Sequence, residues 1–488
     1  MPTALVSHPA GRLASLVAAL VLAGCASSAG IAPHTPPLDP VRAGLPAAVE
    51  ATPLHLATDW WRSFDDPTLD ALVDRALADH PDLQTAQARL ERAGAAVAGA
   101  RAAEGPQVNG AADATRQRYS EHGLLPPPLA GSTHDSGTVQ ATASWELDFF
   151  GRQRAELQSA LGGERAARAE LEAARLLLAS RVAAVYVELA RLLDQRTVAE
   201  RSLAQREETL ALIGDRVRAG LDTNVELRQG EGALPETRQQ IEALDERIAL
   251  ARHALAALTV QPPDALATLS PALASLPEGT LPRSLPSDLL ARRADITAAR
   301  WRVEAAGQDV QAAKAEFYPS VNLVAFAGLS SSLGLGRLLE AGSAQGGFGP
   351  ALRLPIFDSG RLRANLRGKA ADVDAAVASY NGALLGALHD VADQLAGQQS
   401  IARQQREQRN AQDAAESAYQ LAVQRYRAGL GSYLTVLNAE TNVIEQRRLT
   451  TDLRARAIDS QMLLVRALGG GYAAGDDVRA LASAGLPR

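Results

Sequence analysis

The chain has 488 residues, a net charge of −6 from 49 basic and 55 acidic side chains, and a single cysteine. Its charges are interspersed, with no basic run or aromatic-basic cluster to hold nucleic acid, and a lone thiol excludes an internal disulfide. Aromatics make up only 4% of an alanine-rich sequence, a composition suited to long, closely approaching helices, because alanine is the best helix former and leaves room for a neighbour.

The chain opens with Arg12, an apolar stretch from Leu13 to Leu22, and then Leu22-Ala23-Gly24-Cys25. These are the parts of a secretory signal peptide, residues 1–24. The tetrapeptide resembles a bacterial lipoprotein signal, in which Cys25 is acylated and becomes the new N-terminus. Ala26, where an aspartate would retain the protein at the inner membrane, favours the outer one. Residues 25–63 then form a lipidated N-terminal segment. No later stretch reaches the ~20 apolar residues of a membrane helix, so any crossing would have to be made by strands.

Two copies of one pattern follow. Trp145 to Arg154 matches Leu354 to Arg363, and Arg216-Val217-Arg218-Ala219-Gly220-Leu221 matches Arg425-Tyr426-Arg427-Ala428-Gly429-Leu430, both at an offset of about 209 residues. Further upstream, Pro106-Gln107-Val108-Asn109 matches Pro319-Ser320-Val321-Asn322 at an offset of about 213, so a loop between them absorbs the shift. A period this long is no solenoid and reads as a duplicated half-structure. Repeat 1 covers 64–260, a linker holding six prolines covers 261–287, repeat 2 covers 288–470, and 471–488 is a tail.

Within repeat 1 a helix is expected over 64–104, stopped by Gly105-Pro106. Strands are expected at about 106–118 and 137–149. In the second, Val139, Ala141, Ala143, Trp145, Leu147 and Phe149 alternate with polar residues, a strong strand signal. A long helix over 151–218 and a returning helix over 224–258 complete the copy. Repeat 2 has a helix, strands at about 319–329 and 347–357, a long helix over 360–427 and a returning helix over 433–468. Apolar positions from Leu362 to Leu395 recur every 3.67 residues or so, close to a straight arrangement, and ~65 residues make a rod on the order of 100 Å. Arg152 and Arg361 follow glycine at the strand-to-helix junctions, near the inner edge of the membrane; lipid headgroups or the pore are open to them, but solvated side chains are the nearer reading.

Four amphipathic strands cannot close a barrel, and open edges are not tolerated in lipid. The smallest membrane barrels need about 8 strands, so the sequence asks for an oligomer; three copies would supply twelve strands. No enzymatic constellation is present. The eight histidines are scattered without metal-ligand spacing, and Gly334-x-Gly336 lacks both the dinucleotide fingerprint and a following Lys-Ser/Thr. No metal or cofactor is expected beyond a lipid at Cys25.

Several motifs are similar to those of the TolC-like outer-membrane efflux factors, in the lipoprotein branch serving resistance-nodulation-division pumps. Trp60-Trp61-Arg62-Ser63-Phe64-Asp65-Asp66-Pro67-Thr68-Leu69 resembles the family's opening motif and His80-Pro81-Asp82-Leu83 its continuation. Leu285 to Ile296 resembles the signature opening the second repeat, with Ala294 in place of the usual proline, and Phe317-Tyr318-Pro319 a helix-to-strand junction. Arg425 to Leu430, continuing through Tyr433-Leu434-Thr435-Val436-Leu437, resembles the periplasmic hairpin.

The resemblance implies a mainly α homotrimer built from two internal repeats. Its four strands per protomer would make a 12-stranded outer-membrane β-barrel above a long periplasmic α-helical barrel, with an equatorial region from the termini and linker. Such a protein is a passive exit duct for drugs or other small toxic compounds, lipid-anchored and membrane-spanning, joined to an inner-membrane pump by a periplasmic adaptor. The hairpins at Arg218, Gly220 and Leu221, and at Arg427, Gly429 and Leu430, would meet the adaptor. Leu434, Asn438 and Thr441 match the positions that narrow the periplasmic aperture; the last two are neutral here where relatives often carry charges. The competing readings are a type I secretion duct and a non-channel adaptor or scaffold lipoprotein.

Overall fold

The computed structural model describes residues 27–39, 56–124, 126–277, 292–332 and 334–472. Cys25, the signal peptide and the linker from 278 lie outside the described residues, as do the opening of the second-repeat signature and the tail from 473. After a 3-10 turn at Trp60–Phe64 come α1 (Pro67–Asp79), α2 (Pro81–Ala103), β1 (Gln107–Arg118), β2 (Thr133–Leu147), α3 (Arg152–Arg218) and α4 (Asn224–Leu258). They are followed by α5 (Ala294–Ala315), β3 (Ser320–Ser331), β4 (Ala344–Arg353), α6 (Arg361–Arg427) and α7 (Tyr433–Ala467). α3 and α6 each have 67 residues, and α4 and α7 each have 35.

The single helix expected over 64–104 is two. Its break falls at His80, whose backbone is extended at ψ 131, because the ring of Pro81 disfavours the helical region for the residue before it. Pro81 itself starts α2, where a missing N–H costs nothing. The strand ends shift as well. β2 stops at Leu147, paired with Val321, since two residues further on it would face Pro319, which cannot donate. β4 ends at Arg353, just before Leu354-Pro355.

The four strands form one antiparallel sheet in the order β1-β2-β3-β4. Their register sorts the residues by face. One rung reads Trp145, Leu323, Pro350, and another Ala112, Val139, Leu329, Ala344. That face carries Val108, Ala141, Ala143, Leu147, Val321, Ala325, Phe348 and Leu352 as well, with no charged residue between Gly137 and Leu147 or on the strands beside them. The opposite face holds Asn109, Asp113, Thr138, Gln140, Thr142, Ser144, Glu146 and Asn322. β1 and β4 leave their outer edges unpaired among the described residues.

The chain divides into two compact units. In the first, the sheet runs into the helices that bracket it. Phe150 stacks on Tyr318 with ring centroids 4.9 Å apart, and the Trp145 indole donates to the Glu104 carbonyl at 2.9 Å. Val310 and Ala313 of α5, with Phe317 just after it, pack on Leu362, Leu366, Ala370 and Val373 of α6. The N-terminal segment lies on α6: Ile31 joins that cluster, and the His34 and Thr35 N–H groups both donate to Asp374 at 2.7 Å. Arg152 is not simply solvated; it bridges Glu146 and Glu156 at 2.9 and 2.8 Å.

The core of the second unit gathers Trp60, Trp61 and Phe64, Leu69, Leu72 and Val73 of α1, Val182, Tyr186 and Leu189 of α3, and Ile458 and Met462 of α7. Asp66 caps α1 by accepting from the Thr68 and Leu69 N–H groups, and it also accepts from the Tyr186 hydroxyl at 2.7 Å. From the second-repeat signature, Arg293 pairs with Asp295 and donates to the Ala467 carbonyl at 3.1 Å, fixing the end of α7.

Candidate functional site

α3 and α6 end alike. Gly220 takes φ 74; its N–H donates to the Val217 carbonyl at 3.0 Å and the Leu221 N–H to the Arg216 carbonyl at 2.9 Å. These paired bonds close a helix through a left-handed residue, which only glycine adopts without a Cβ penalty. Gly429 (φ 75) and Leu430 repeat them onto Tyr426 and Arg425 at 3.0 and 2.8 Å. The restarts differ. α4 opens with a capping box, Thr223 accepting from the Val225 N–H and Glu226 from the Thr223 N–H. Ser432 makes no such side-chain bond for α7. The first hairpin therefore caps its returning helix with side chains and the second does not.

The second hairpin is instead held by the first. Arg216 grips Asp222 with two bonds, at 2.8 and 3.1 Å. Its remaining amino group donates to the Tyr426 carbonyl at 3.1 Å, and its guanidinium lies 4.5 Å over the Tyr426 ring. The Tyr426 hydroxyl donates to the same Asp222 carboxylate. The Arg216 bonds hold the Asp222 carboxyl below its ordinary range, and burial followed by the hydrogen bond to Asp222 pushes the Tyr426 phenol upward. One arginine, one carboxylate and one phenol thus tie the end of α6 to the α3–α4 turn. Beneath them Ile213, Tyr419, Tyr433, Val436 and Val443 form an apolar cluster. Gly230 permits this approach: a Cβ there would sit 3.0 Å from Leu210 and 3.1 Å from Ile213.

A turn or two further along, Glu440 is buried and pairs with Arg206 at 3.2 Å, while Arg206 also donates to Thr237 at 2.7 Å and the Ala233 carbonyl at 3.0 Å. Burial raises Glu440, with Arg206 opposing.

The expected site residues fall as follows. Arg218 is exposed and pairs with Asp215 of its own turn; Arg427 is exposed and makes no ion pair among the described residues. Leu221 and Leu430 project into solvent at 65% and 70% exposure, and Leu434, on the first turn of α7, is 57% exposed. Asn438 and Thr441 are exposed on the same helix, lining a groove of about 870 Å³ with Gln195, Ser202 and Arg448. The Thr441 hydroxyl donates back to the Leu437 carbonyl at 2.9 Å, so it is engaged with its own helix. Sequence reasoning missed Asp222 and the roles of Arg216 and Tyr426. The signal lay in the mismatch between the copies, where Asp222 falls opposite Gly431 and Val217 opposite Tyr426.

A family model described as outer membrane efflux protein matches this chain twice, over residues 72–260 and 285–470. The chain belongs to the outer membrane efflux protein family. Among members of that family, the multidrug resistance outer membrane protein MdtQ of Escherichia coli O157:H7 is 34% identical over 472 residues, covering 93% of this chain and 96% of that protein. The fusaric acid resistance protein FusA of Burkholderia cepacia is 36% identical over 361 residues, covering 72% of this chain and 68% of that protein. The crystal structure of the outer membrane protein VceC from Vibrio cholerae superposes with a TM-score of 0.81 at 35% identity, covering 86% of this chain and all of that one. This efflux protein is accordingly an outer-membrane duct reaching into the periplasm, and the scaffold reading falls away.

Proposed function

We propose that three copies of this chain close a single 12-stranded barrel in the outer membrane. It would stand over a periplasmic helical barrel and passively conduct small toxic compounds handed on by a periplasmic adaptor and a resistance-nodulation-division pump. The observation that carries this reading is the sheet. Its uncharged apolar face runs from Gly137 to Leu147 along β2, which at ~3.3 Å per residue and a ~40° tilt spans ~25 Å, the height of a membrane barrel's apolar band. Trp145, Phe149, Phe150 and Tyr318, all substantially exposed, supply an aromatic girdle at its helical end. The open edges of β1 and β4 need partners in lipid, and a second copy offers the complementary edge.

Further features support finer points. The Arg363 guanidinium donates to the Ser27 carbonyl, tethering the segment two residues after Cys25 close to the β4–α6 junction. No enzymatic step and no cofactor other than this lipid are assigned. Leu221 and Leu430 present apolar anchors at the hairpin tips for the adaptor, flanked by Arg218 and Arg427. Leu434, with neutral Asn438 and Thr441, would line an apolar resting aperture without a charged lock. The relatives' names, multidrug resistance and fusaric acid resistance, support drug-like cargo.

The test is single-channel recording of Leu434→Ala in planar bilayers, paired with vancomycin sensitivity in cells. A wider aperture raises resting conductance and admits the antibiotic; wild-type values in both assays would contradict an aperture role for Leu434.

A further inference from the structure

The loop joining β3 to β4 does not extend into water. Its 3-10 turn, Leu335–Arg337, has three residues per turn, which puts Leu335 and Leu338 on one side. A Cβ on Gly137 would lie 2.6 Å from a Leu335 methyl and 3.9 Å from a Leu338 methyl. Gly137 shares its sheet face with Val139, so these leucines lie over the apolar face at the end remote from the helices. Leu339 beside them is 86% exposed.

The loop also satisfies its own polar groups. The Arg337, Leu338 and Glu340 N–H groups donate to carbonyls three residues back, at 3.0 to 3.2 Å. The buried Ser331 and Ser343 hydroxyls donate to the Gly334 and Arg337 carbonyls at 2.9 and 2.6 Å. A backbone paired in this way tolerates a low-polarity boundary that an open loop does not. On the rim, Arg116 faces Asp135 and Arg118 faces Glu121, whereas exposed Arg337 has no carboxylate within ion-pair distance among the described residues. The aromatic girdle noted above stands at the helical end of the apolar face, and at this far end the leucine loop lays apolar side chains over that face.

We infer that residues 334–343 are an interfacial strap that docks on the outer leaflet, with Leu335, Leu338 and Leu339 in the acyl-headgroup boundary and Arg337 on a lipid phosphate. This rests on the reading that the apolar sheet face meets lipid. Its occupant is lipid because the strap continues that face and carries an unpaired cation between apolar side chains, the pattern of an interfacial anchor.

The experiment places a nitroxide label on Leu339→Cys, on Phe348→Cys in the middle of the apolar face, and on Leu124→Cys, a fully exposed loop residue. The full-length assembly is reconstituted into phosphatidylcholine/phosphatidylglycerol vesicles, with the parent protein as the labelling control. Collision rates with oxygen, which concentrates in lipid, and with a water-soluble nickel chelate are then compared. The strap predicts an oxygen-to-nickel ratio at 339 well above that at 124 and somewhat below that at 348. It further predicts that Arg337→Glu shifts the 339 label toward water while leaving 348 unmoved. A water-like ratio at 339 with a lipid-like ratio at 348 overturns the strap alone. Water-like ratios at both overturn the membrane reading beneath it, and an unmoved 339 label in Arg337→Glu overturns the phosphate contact.

Discussion

The tie between the two hairpins can be tested one bond at a time. Tyr426→Phe keeps the ring under the Arg216 guanidinium and removes only the hydroxyl that donates to Asp222. A hydrogen bond to a charged acceptor contributes about 1.5–3 kcal/mol. Asp222 keeps both Arg216 bonds, so the low end applies, about tenfold in the opening equilibrium of the second hairpin. Asp222→Asn does more. The Arg216 side chain is only 12% exposed, and losing its counter-charge leaves a buried cation, a change costing about 3–5 kcal/mol when nothing replaces the partner. The Tyr426 ring and carbonyl still face Arg216, which favours about 3 kcal/mol, or roughly 150-fold.

The assay is amide hydrogen exchange over residues 425–437 and, as a reference, over the α1 core. Faster exchange confined to the hairpin, larger for Asp222→Asn than for Tyr426→Phe, is the expected pattern. The pH dependence follows from the lowered Asp222 carboxyl. A carboxylate depressed in the folded state contributes stability that is complete above its ordinary value of 3.8 and is lost as pH falls through its lower folded value. The hairpin tie should therefore hold through the physiological range and weaken only below about pH 3.8. Wild-type exchange in both variants, or acid sensitivity starting near neutrality, would show that Asp222 does not tie the two hairpins.

Two further predictions concern stability. Burial pushes Asp459 up to about 6, with Glu188 adding and Arg191 opposing, and its Oδ1 has no hydrogen-bond partner. A carboxyl raised in the folded state loses stability as pH rises from its ordinary value of 3.8 to about 6. Asp459→Asn should flatten that slope and raise the unfolding free energy at pH 7.5 by an amount on the order of 2–3 kcal/mol, read as a higher melting temperature, with little gain at pH 4; an equal gain at both would discount the titration. Val260 caps α4 at φ 53, accepting the left-handed geometry that glycine usually takes, with its N–H on the Ala257 carbonyl. Val260→Gly should stabilise by about 0.5–1 kcal/mol, the relief of Cβ strain less the added chain entropy, and a lower melting temperature would show that the valine side chain contributes packing that outweighs its strain.

What the sequence discloses depends on the range of the interaction. The helix ends at Gly220 and Gly429 are local: a glycine closing a periodic stretch dictates a left-handed cap whatever surrounds it. The sheet faces are local too, since the alternation from Val139 to Leu147 fixes which side chains share a side. The break at His80 was legible in Pro81, but helical periodicity on both sides masked it. The strand ends were less so, because where β2 stops depends on Pro319, just before β3 and more than 170 residues away. The Arg216, Asp222 and Tyr426 cluster joins residues 204 and 210 positions apart, and local pattern carries no trace of such a contact. Only the failure of the two copies to match at Asp222 and Gly431 marked the place. Arg152 likewise reads as solvated from its neighbours in sequence, while the turn after β2 brings Glu146 back to it.

Whether the four strands belong to a shared barrel is decided by the number of subunits in native membranes. Outer membranes are extracted in mild detergent, and the native mass is measured with and without graded cross-linking. A species of three copies, shifting to monomer only on heating, is the predicted result. A monomer that keeps its strand content in detergent would leave the β1 and β4 edges unpaired and rule out a shared barrel.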